Sequence, residues 1–353
     1  MLLRGPSNII RWVAIIGNGY NDIGSGEAKL FILFLEAGLD GVWDQAAGDY
    51  IEITTGVGDT ANRNGLASPA VIDENGDGWA DRVYAGDLNG NMWAFDISGS
   101  NAGNWDVAHQ AAGNPVPLFT ANANQQITST PVIVRNSDIP TAANNSPNTL
   151  VIFGTGQYLT SADISTTNTQ AMYGIWDDGT SQLDQTDLVA QTITAGTSSG
   201  GVPGRTLSNN TVDYTGTAQG WYINLPTSGE RSVTDAVIRD DLVFFNTTIP
   251  DTVPCNYGGT GWLMVAKWVN GGNPDDVAFD LNGDYTLSDL DKIDSKASAG
   301  MSITGMPTSP SNLGNKRYVA TTETDSGDSI EVTEIENVDG PGTGRLSWEE
   351  MEL

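Results

Sequence analysis

This chain is short of the side chains that most often carry metal or nucleophilic chemistry. It has one histidine, His109, and one cysteine, Cys255. A single histidine excludes multi-histidine zinc sites and leaves one base for any Ser-His-Asp arrangement. His109 lies in the loop-like Ala108-His-Gln-Ala-Ala-Gly-Asn-Pro115 stretch, where a solvated ring is expected. A single cysteine excludes an intrachain disulfide, so cysteine usage gives no signal about redox compartment. Cys255 is expected to be buried or to pair outside this chain.

Positive charge is scarce as well. Fifteen Lys and Arg stand against 44 Asp and Glu, a formal net charge of −29. A phosphate-binding surface needs clustered Lys and Arg, so nucleic acid is excluded as a partner. Excess carboxylate favours divalent cations and keeps a protein soluble in salty surroundings. Long apolar runs are missing too. The stretch from Lys29 to Leu39 is broken by Glu36 and is too short to span a bilayer. The first ten residues carry no apolar signal-peptide core.

What the chain does have is turn chemistry and aromatic residues. It holds 42 glycines and ten tryptophans in 353 residues, with abundant Asn, Thr and Ser and few helix-forming runs. That composition predicts β-structure in one large or two ordinary domains.

Four β blocks can be read along the chain. The first pairs Trp12–Ile16 with Leu30–Leu35 across Gly17-Asn-Gly-Tyr20. The second runs from Ser68 to Asp96 through a Gly86-Asp-Leu-Asn-Gly90 turn. The third spans Ile127 to Asp177 and the fourth Gly220 to Ala266. Between the last two, residues 178–217 collapse to Thr, Ser, Gly, Gln and Asn and predict a solvated low-complexity insertion. Strands ending in an aromatic plus Asp or Asn recur as Trp93-Ala-Phe95-Asp96, Tyr173-Gly-Ile-Trp176-Asp177 and Trp221-Tyr-Ile-Asn224. This repetition predicts an all-β fold, a modified β-propeller of four-stranded blades with loop insertions, four or five of them countable.

Two acidic loops carry the chemistry. In the first, Asp73, Asn75 and Asp77 fill positions one, three and five of an EF-hand frame. Gly78 sits at position six, Trp79 offers its carbonyl at position seven, and Asp81 stands at position nine. Calcium suits such a set because hard oxygen donors at about 2.4 Å replace its water with little geometric demand. An Asx-rich turn capped by its own side chains is the alternative.

The second loop, residues 280–291, has the full twelve-residue frame of an EF-hand or dockerin-type loop. Asp280, Asn282, Asp284, Thr286 through its carbonyl, Asp289 and Asp291 are its candidate ligands, and the alternative is a plain acidic loop. Tyr285 replaces the usual glycine at position six, and the Ser288-Asp-Leu-Asp-Lys-Ile-Asp294 ending predicts a helix.

Other features carry less. Gly17-Asn-Gly19 and Gly154-Thr-Gly156 follow strands but lead into no GxGxxG helix, so they read as blade turns. The tryptophans could stack on sugars, but packing between sheets accounts for them. Gly229-Glu-Arg231 could hold a buried ion pair between blades.

Taken in order, the motifs resemble the C-terminal propeller of the PilY/PilC family of type IV pilus tip-associated adhesins. The matching segments are Trp12 to Tyr20, Asn64 to Asp96, Phe153 to Tyr158, Tyr173 to Asp177, Gly220 to Leu225 with Gly229-Glu-Arg231, and Gly344 to Trp348. The resemblance implies a propeller at the pilus tip or outer cell surface. It implies a calcium loop, here Asp73, Asn75, Asp77, Trp79 and Asp81, linked to pilus extension, retraction, twitching motility and attachment. It also implies minor pilins of the tip complex, and a host surface protein or glycan, as partners. Family members carry a signal peptide, a variable N-terminal region and further blades, so this chain is expected to be a C-terminal fragment.

Two other readings remain, the first sharing the Ala85–Asp96 blade pattern and the second the calcium loop. One is a quinoprotein dehydrogenase, against which the absence of a vicinal cysteine pair argues. The other is a generic FG-GAP, integrin-like calcium propeller without the Phe153-Gly-Thr-Gly-Gln-Tyr158 and Gly344–Trp348 motifs.

Overall fold

Several strands are buried along their whole length, with side chains of both parities covered. Arg82–Gly86, Thr149–Gly154 and Ala171–Asp177 all show this pattern. A sheet with one wet face would alternate instead, so these sheets need cover on both sides. The computed structural model describes residues 2–4, 10–20, 24–136, 138–139, 147–253, 258–314, 316–322 and 330–334. Cys255 and the Gly344–Trp348 motif lie outside the described residues.

Among the described residues, five larger sheets follow one another in chain order, and a short ribbon pairs Gln110–Ala111 with Asn114–Pro115. The first sheet holds Leu2–Arg4, Ile10–Gly17, Lys29–Phe34 and Tyr50–Thr54. The second runs from Ala70–Ile72 through Arg82–Gly86 to Asn91–Asp96, with Phe119–Thr120 and Asp106–Val107 at its outer edge. The third orders Val132–Arg135, Thr149–Gly154, Ala171–Asp177, Gly220–Asn224 and Val189–Gln191. The fourth has six strands: Ile193–Thr197, Pro203–Leu207, Gly300–Thr304, Gly259–Lys267, Leu242–Pro250 and Val237–Arg239. The fifth pairs Ser311–Leu313, Lys316–Ala320 and Ile330–Glu334.

Period-two alternation sorts the side chains of each sheet into two cores. Val83, Ala85, Trp93 and Phe95 face the first sheet's Val13, Leu30, Ile32 and Phe34. The alternate residues Tyr84, Met92 and Ala94 face Val151, Phe153, Tyr173 and Ile175 of the third sheet. The third sheet's other face, with Leu150, Ile152, Trp176 and Trp221, packs on Val243, Phe245 and Met264 of the fourth. Phe244, Leu263 and Val265 then meet Phe279 and Val319. Each fully buried large apolar side chain contributes about 1.5–3 kcal/mol. Sheets stacked face to face in sequence order make this an all-β, modified propeller. Among the described residues no strand of the first sheet pairs with the last, so no shared sheet closes the ring.

Two expectations change here. Residues 178–217 are not a loose insertion. They supply Val189–Gln191, parallel to Gly220–Asn224, and the hairpin Ile193–Thr197/Pro203–Leu207 that joins the fourth sheet. Arg205 and Leu207 are buried there, so the polar composition hid a few anchoring positions. The Trp221 strand is also not the end of a separate blade. It pairs directly with Ala171–Asp177, setting Gly174 opposite Trp221. A Cβ on Gly174 would lie 2.3 Å from the Trp221 ring, which is why glycine interrupts the Tyr173-Gly-Ile-Trp176 strand.

Candidate metal centre

Ile72 and Arg82 are cross-strand partners, so residues 73–81 form the loop of an antiparallel hairpin. Gly76 and Gly78 turn it with φ of 77° and 88°, values that favour glycine. The loop folds around its own oxygens. Asp73 Oδ1 accepts from Gly76 N at 2.6 Å and Asp77 N at 3.2 Å, and Oδ2 accepts from Gly78 N at 2.7 Å. Asn75 Oδ1 accepts from Asp77 N at 2.9 Å, and Asp77 Oδ1 from Trp79 N at 3.0 Å. Asp81 Oδ2 closes the circle by accepting from Glu74 N at 3.0 Å and Asn75 N at 3.4 Å. A carboxylate can accept about four hydrogen bonds, so these oxygens keep capacity for a cation.

Residues 280–291 repeat this wiring. Asp280 Oδ1 accepts from Gly283 N at 2.8 Å and Asp284 N at 3.3 Å, and Oδ2 from Tyr285 N at 2.8 Å. Asn282 Oδ1 accepts from Asp284 N and Asp284 Oδ1 from Thr286 N. Asp291 takes the closing role at position twelve, accepting from Leu281 N at 2.8 Å and Asn282 N at 3.3 Å. Tyr285 adopts φ of 65°, where the first loop has glycine, and is 77% exposed. The expected helix is only a 3-10 turn over Asp289–Asp291, capped by Ser288. Asp289 turns away, 89% exposed and 2.7 Å from Lys292 Nζ, so it does not converge with the other five candidates. Gly200 N and Ser199 N donate to Leu290 and Lys292 carbonyls and tie the loop to the hairpin before it.

Burial raises the Asp81 carboxyl above its ordinary range, the Glu74 and Asn75 N–H groups oppose that, and the charges of Asp77 and Asp73 add to the rise. In the second loop, hydrogen bonds from Thr286 and Asn282 hold Asp284 low. Among the described residues no three His, Cys, Asp or Glu side chains are placed to hold an ion by themselves. A calcium ion would therefore use the amide oxygen of Asn75 and the Trp79 carbonyl as well as carboxylates. Mixed oxygen donors on a turning loop fit calcium better than magnesium, which demands a strict octahedron.

The loop opens onto a buried polar group that the sequence reading missed. Arg82 directly follows Asp81, and its Nε and Nη2 lie 3.0 and 2.9 Å from Asp177 Oδ2, at the end of the third sheet's Ala171–Asp177 strand. Tyr84 Oη donates to the same oxygen at 2.8 Å. His109, expected to be solvated, is buried beside them, with Nε2 3.3 Å from Arg82 Nη2 and 3.7 Å from Asp177 Oδ1. The latter distance exceeds hydrogen-bond reach, so Arg82 and Tyr84 make the direct contacts. The ribbon after the second sheet folds His109 inward, which nothing in its polar local sequence signals.

Two further motifs resolve into structural bonds. Buried Asp87 accepts from Asn64 Nδ2, Asn91 Nδ2 and Trp93 Nε1, locking the Gly86–Gly90 turn. Glu230 pairs with Arg205 at 2.6 Å, not with neighbouring Arg231, whose guanidinium donates to the carbonyls of Gln157, Asp163 and Thr166.

A family model for the PilY1 beta-propeller domain matches residues 7–215. The chain belongs to the PilY1 family. It is 34% identical to a type IV pilus biogenesis factor PilY1 homolog of Xylella fastidiosa, over 74% of this chain and 18% of that protein. It is 29% identical to PilY1 of Pseudomonas aeruginosa strain PAO1, over 97% of this chain and 31% of that protein. The crystal structure of the Pseudomonas aeruginosa PilY1 C-terminal domain superposes with a TM-score of 0.70 at 26% identity, covering 95% of this chain and 71% of that one. This PilY1-family chain thus spans less than a third of these curated relatives' length. Family membership sets aside the quinoprotein and generic FG-GAP readings of the chain. Among the described residues no helix is long and apolar enough to cross a membrane.

Proposed function

We propose that this chain is the calcium-binding propeller of a type IV pilus biogenesis factor, acting at the pilus tip or the outer cell surface. The observation that carries the reading is the loop of residues 73–81, wired like an EF-hand and set in a sheet hairpin of a PilY1-family chain. Calcium would draw Asp73, Asn75, Asp77, the Trp79 carbonyl and Asp81 together and relieve their mutual repulsion. A ligand that binds only the folded form stabilises it by mass action, so calcium concentration becomes a variable of this hairpin's rigidity. Residues 280–291 would hold a second ion with Asp280, Asn282, Asp284, Thr286 and Asp291.

The role is binding and assembly, not catalysis. Minor pilins of the tip complex are the proposed partners, with a host surface protein or glycan as the attachment ligand. Calcium occupancy would bias the balance between pilus extension and retraction, and through it twitching motility. The test exchanges this propeller into a piliated PilY1-dependent bacterium, with and without Asp81→Ala. Calcium-dependent retraction should be lost in the variant. Identical retraction in both strains, with and without a chelator, would refute the proposal.

A further inference from the structure

Arg82 stands between two claimants. Its Nε is 3.0 Å from Asp177 Oδ2 in the third sheet and 4.0 Å from Glu74 Oε1 in the first loop. Asp177 is the closer and better anchored of the two. Asp177 is fully buried at the end of Ala171–Asp177, and it also takes the Tyr84 hydroxyl and, through Oδ1, Gly179 N at 3.1 Å. The Glu74 main chain belongs to the loop, its N–H donating to Asp81, the residue that closes the loop and directly precedes Arg82. The Arg82 guanidinium therefore pairs with the next sheet and lies within ion-pair range of the loop, in a buried setting where charges are poorly screened.

We propose that Arg82 and Asp177 form a clasp that couples calcium occupancy of residues 73–81 to the junction between the second and third sheets. This deepens the calcium reading of that loop and rests on it. Without the ion, the carboxylates of Asp73, Asp77 and Asp81 add their field to that of Glu74 and draw on Arg82. With the ion bound, that field is neutralised and the guanidinium is left to Asp177. The coupling is reciprocal, because two events that share one group must influence each other equally. Removing the charge of Asp177 turns Arg82 toward the loop, where it competes with calcium as an internal cation.

This arrangement gives a signature that simple loosening does not. Asp177→Asn should weaken calcium binding by at least about fivefold, the low end of ordinary coupling between sites. Arg82→Gln combined with Asp177→Asn should restore affinity to near that of the parent, because the competing cation has gone. If the pair were only structural, the double variant would bind no better than Asp177→Asn alone.

The experiment is a calcium titration by calorimetry on the full chain in these three forms, with hydrogen exchange of the Ala171–Asp177 strand measured with and without calcium. Calcium should slow exchange in that strand in the parent and not in Asp177→Asn. Should Asp177→Asn fail to fold, Tyr84→Phe keeps both charges, loosens Asp177 by one hydrogen bond, and should weaken calcium binding by a smaller factor. Equal affinity in parent and single variant, or a double variant as weak as the single, overturns the clasp alone. A parent that binds no calcium overturns the reading of the loop, and the clasp with it.

Discussion

Asp73 and Asp280 occupy the same point of two loops far apart in the chain, and each accepts from three main-chain N–H groups at positions four, five and six. The loops differ in how they close, at position nine with Asp81 and at position twelve with Asp291. They also differ at position six, where Gly78 and Tyr285 share a left-handed backbone that only glycine adopts freely.

Tyr285→Gly should therefore favour the second loop. Left-handed backbone costs a non-glycine residue about 1–2 kcal/mol, so relief of that strain should stabilise the folded loop at residues 280–291. Tyr285 is exposed, so its removal sacrifices little packing. Urea denaturation of the variant checks this, with a midpoint above that of the parent expected.

Gly174→Ala should destabilise the third sheet. The added methyl group meets the Trp221 indole, which is itself held by an Nε1 hydrogen bond of 2.9 Å to the Trp268 carbonyl. Overpacking of this kind costs about 1–3 kcal/mol. Urea denaturation should show a lower midpoint, and an unchanged midpoint would mean that Trp221 moves freely.

Breaking the Arg205–Glu230 pair should cost more. Arg205 donates to both Glu230 oxygens, at 2.6 and 2.8 Å, and stacks 3.8 Å over Trp262, with both charges buried. Removing one partner of a buried pair leaves an uncompensated charge and costs about 3–5 kcal/mol. Glu230→Gln should fall in that range, and replacing both residues by apolar ones of similar volume should recover much of the loss.

Acid should unfold the propeller for a related reason. Burial pushes the Asp177 and Glu230 carboxyls up, but His109, Arg82 and Tyr84 around the first and Arg205 and Thr247 around the second bring both below their ordinary values. Depressed folded-state values mean that this stability is fully present above the unfolded carboxylate range of about 4 and is lost as pH falls through the lower folded-state values. Urea midpoints measured from neutral pH downward should fall below about pH 4, and less steeply in Glu230→Gln. A midpoint that rises on acidification would contradict the assignment.

The sequence made the local features legible and hid the distant ones. The hairpin at Ala70–Ile72 and Arg82–Gly86 could be read because turn residues and apolar runs are short-range signals. So could the succession of β blocks, since both-face burial leaves continuous apolar strands. The strand character of residues 178–217 could not be read, because single buried positions such as Arg205 and Leu207 sit among polar residues. The Trp221 strand looked like a new unit because pairing within a sheet leaves no mark on spacing. At the candidate centre the loop oxygens were visible, but the Arg82–Asp177 contact joins residues ninety-five positions apart. The outward turn of Asp289 toward Lys292 was likewise a choice between two nearby partners that spacing alone does not fix.

The most direct test of the account is a calcium titration by calorimetry on the chain and on Asp81→Ala and Asp284→Ala. Two sites are expected in the parent, with loss of only the first in Asp81→Ala and of only the second in Asp284→Ala. The same stoichiometry in all three proteins, or no binding in the parent, would contradict it.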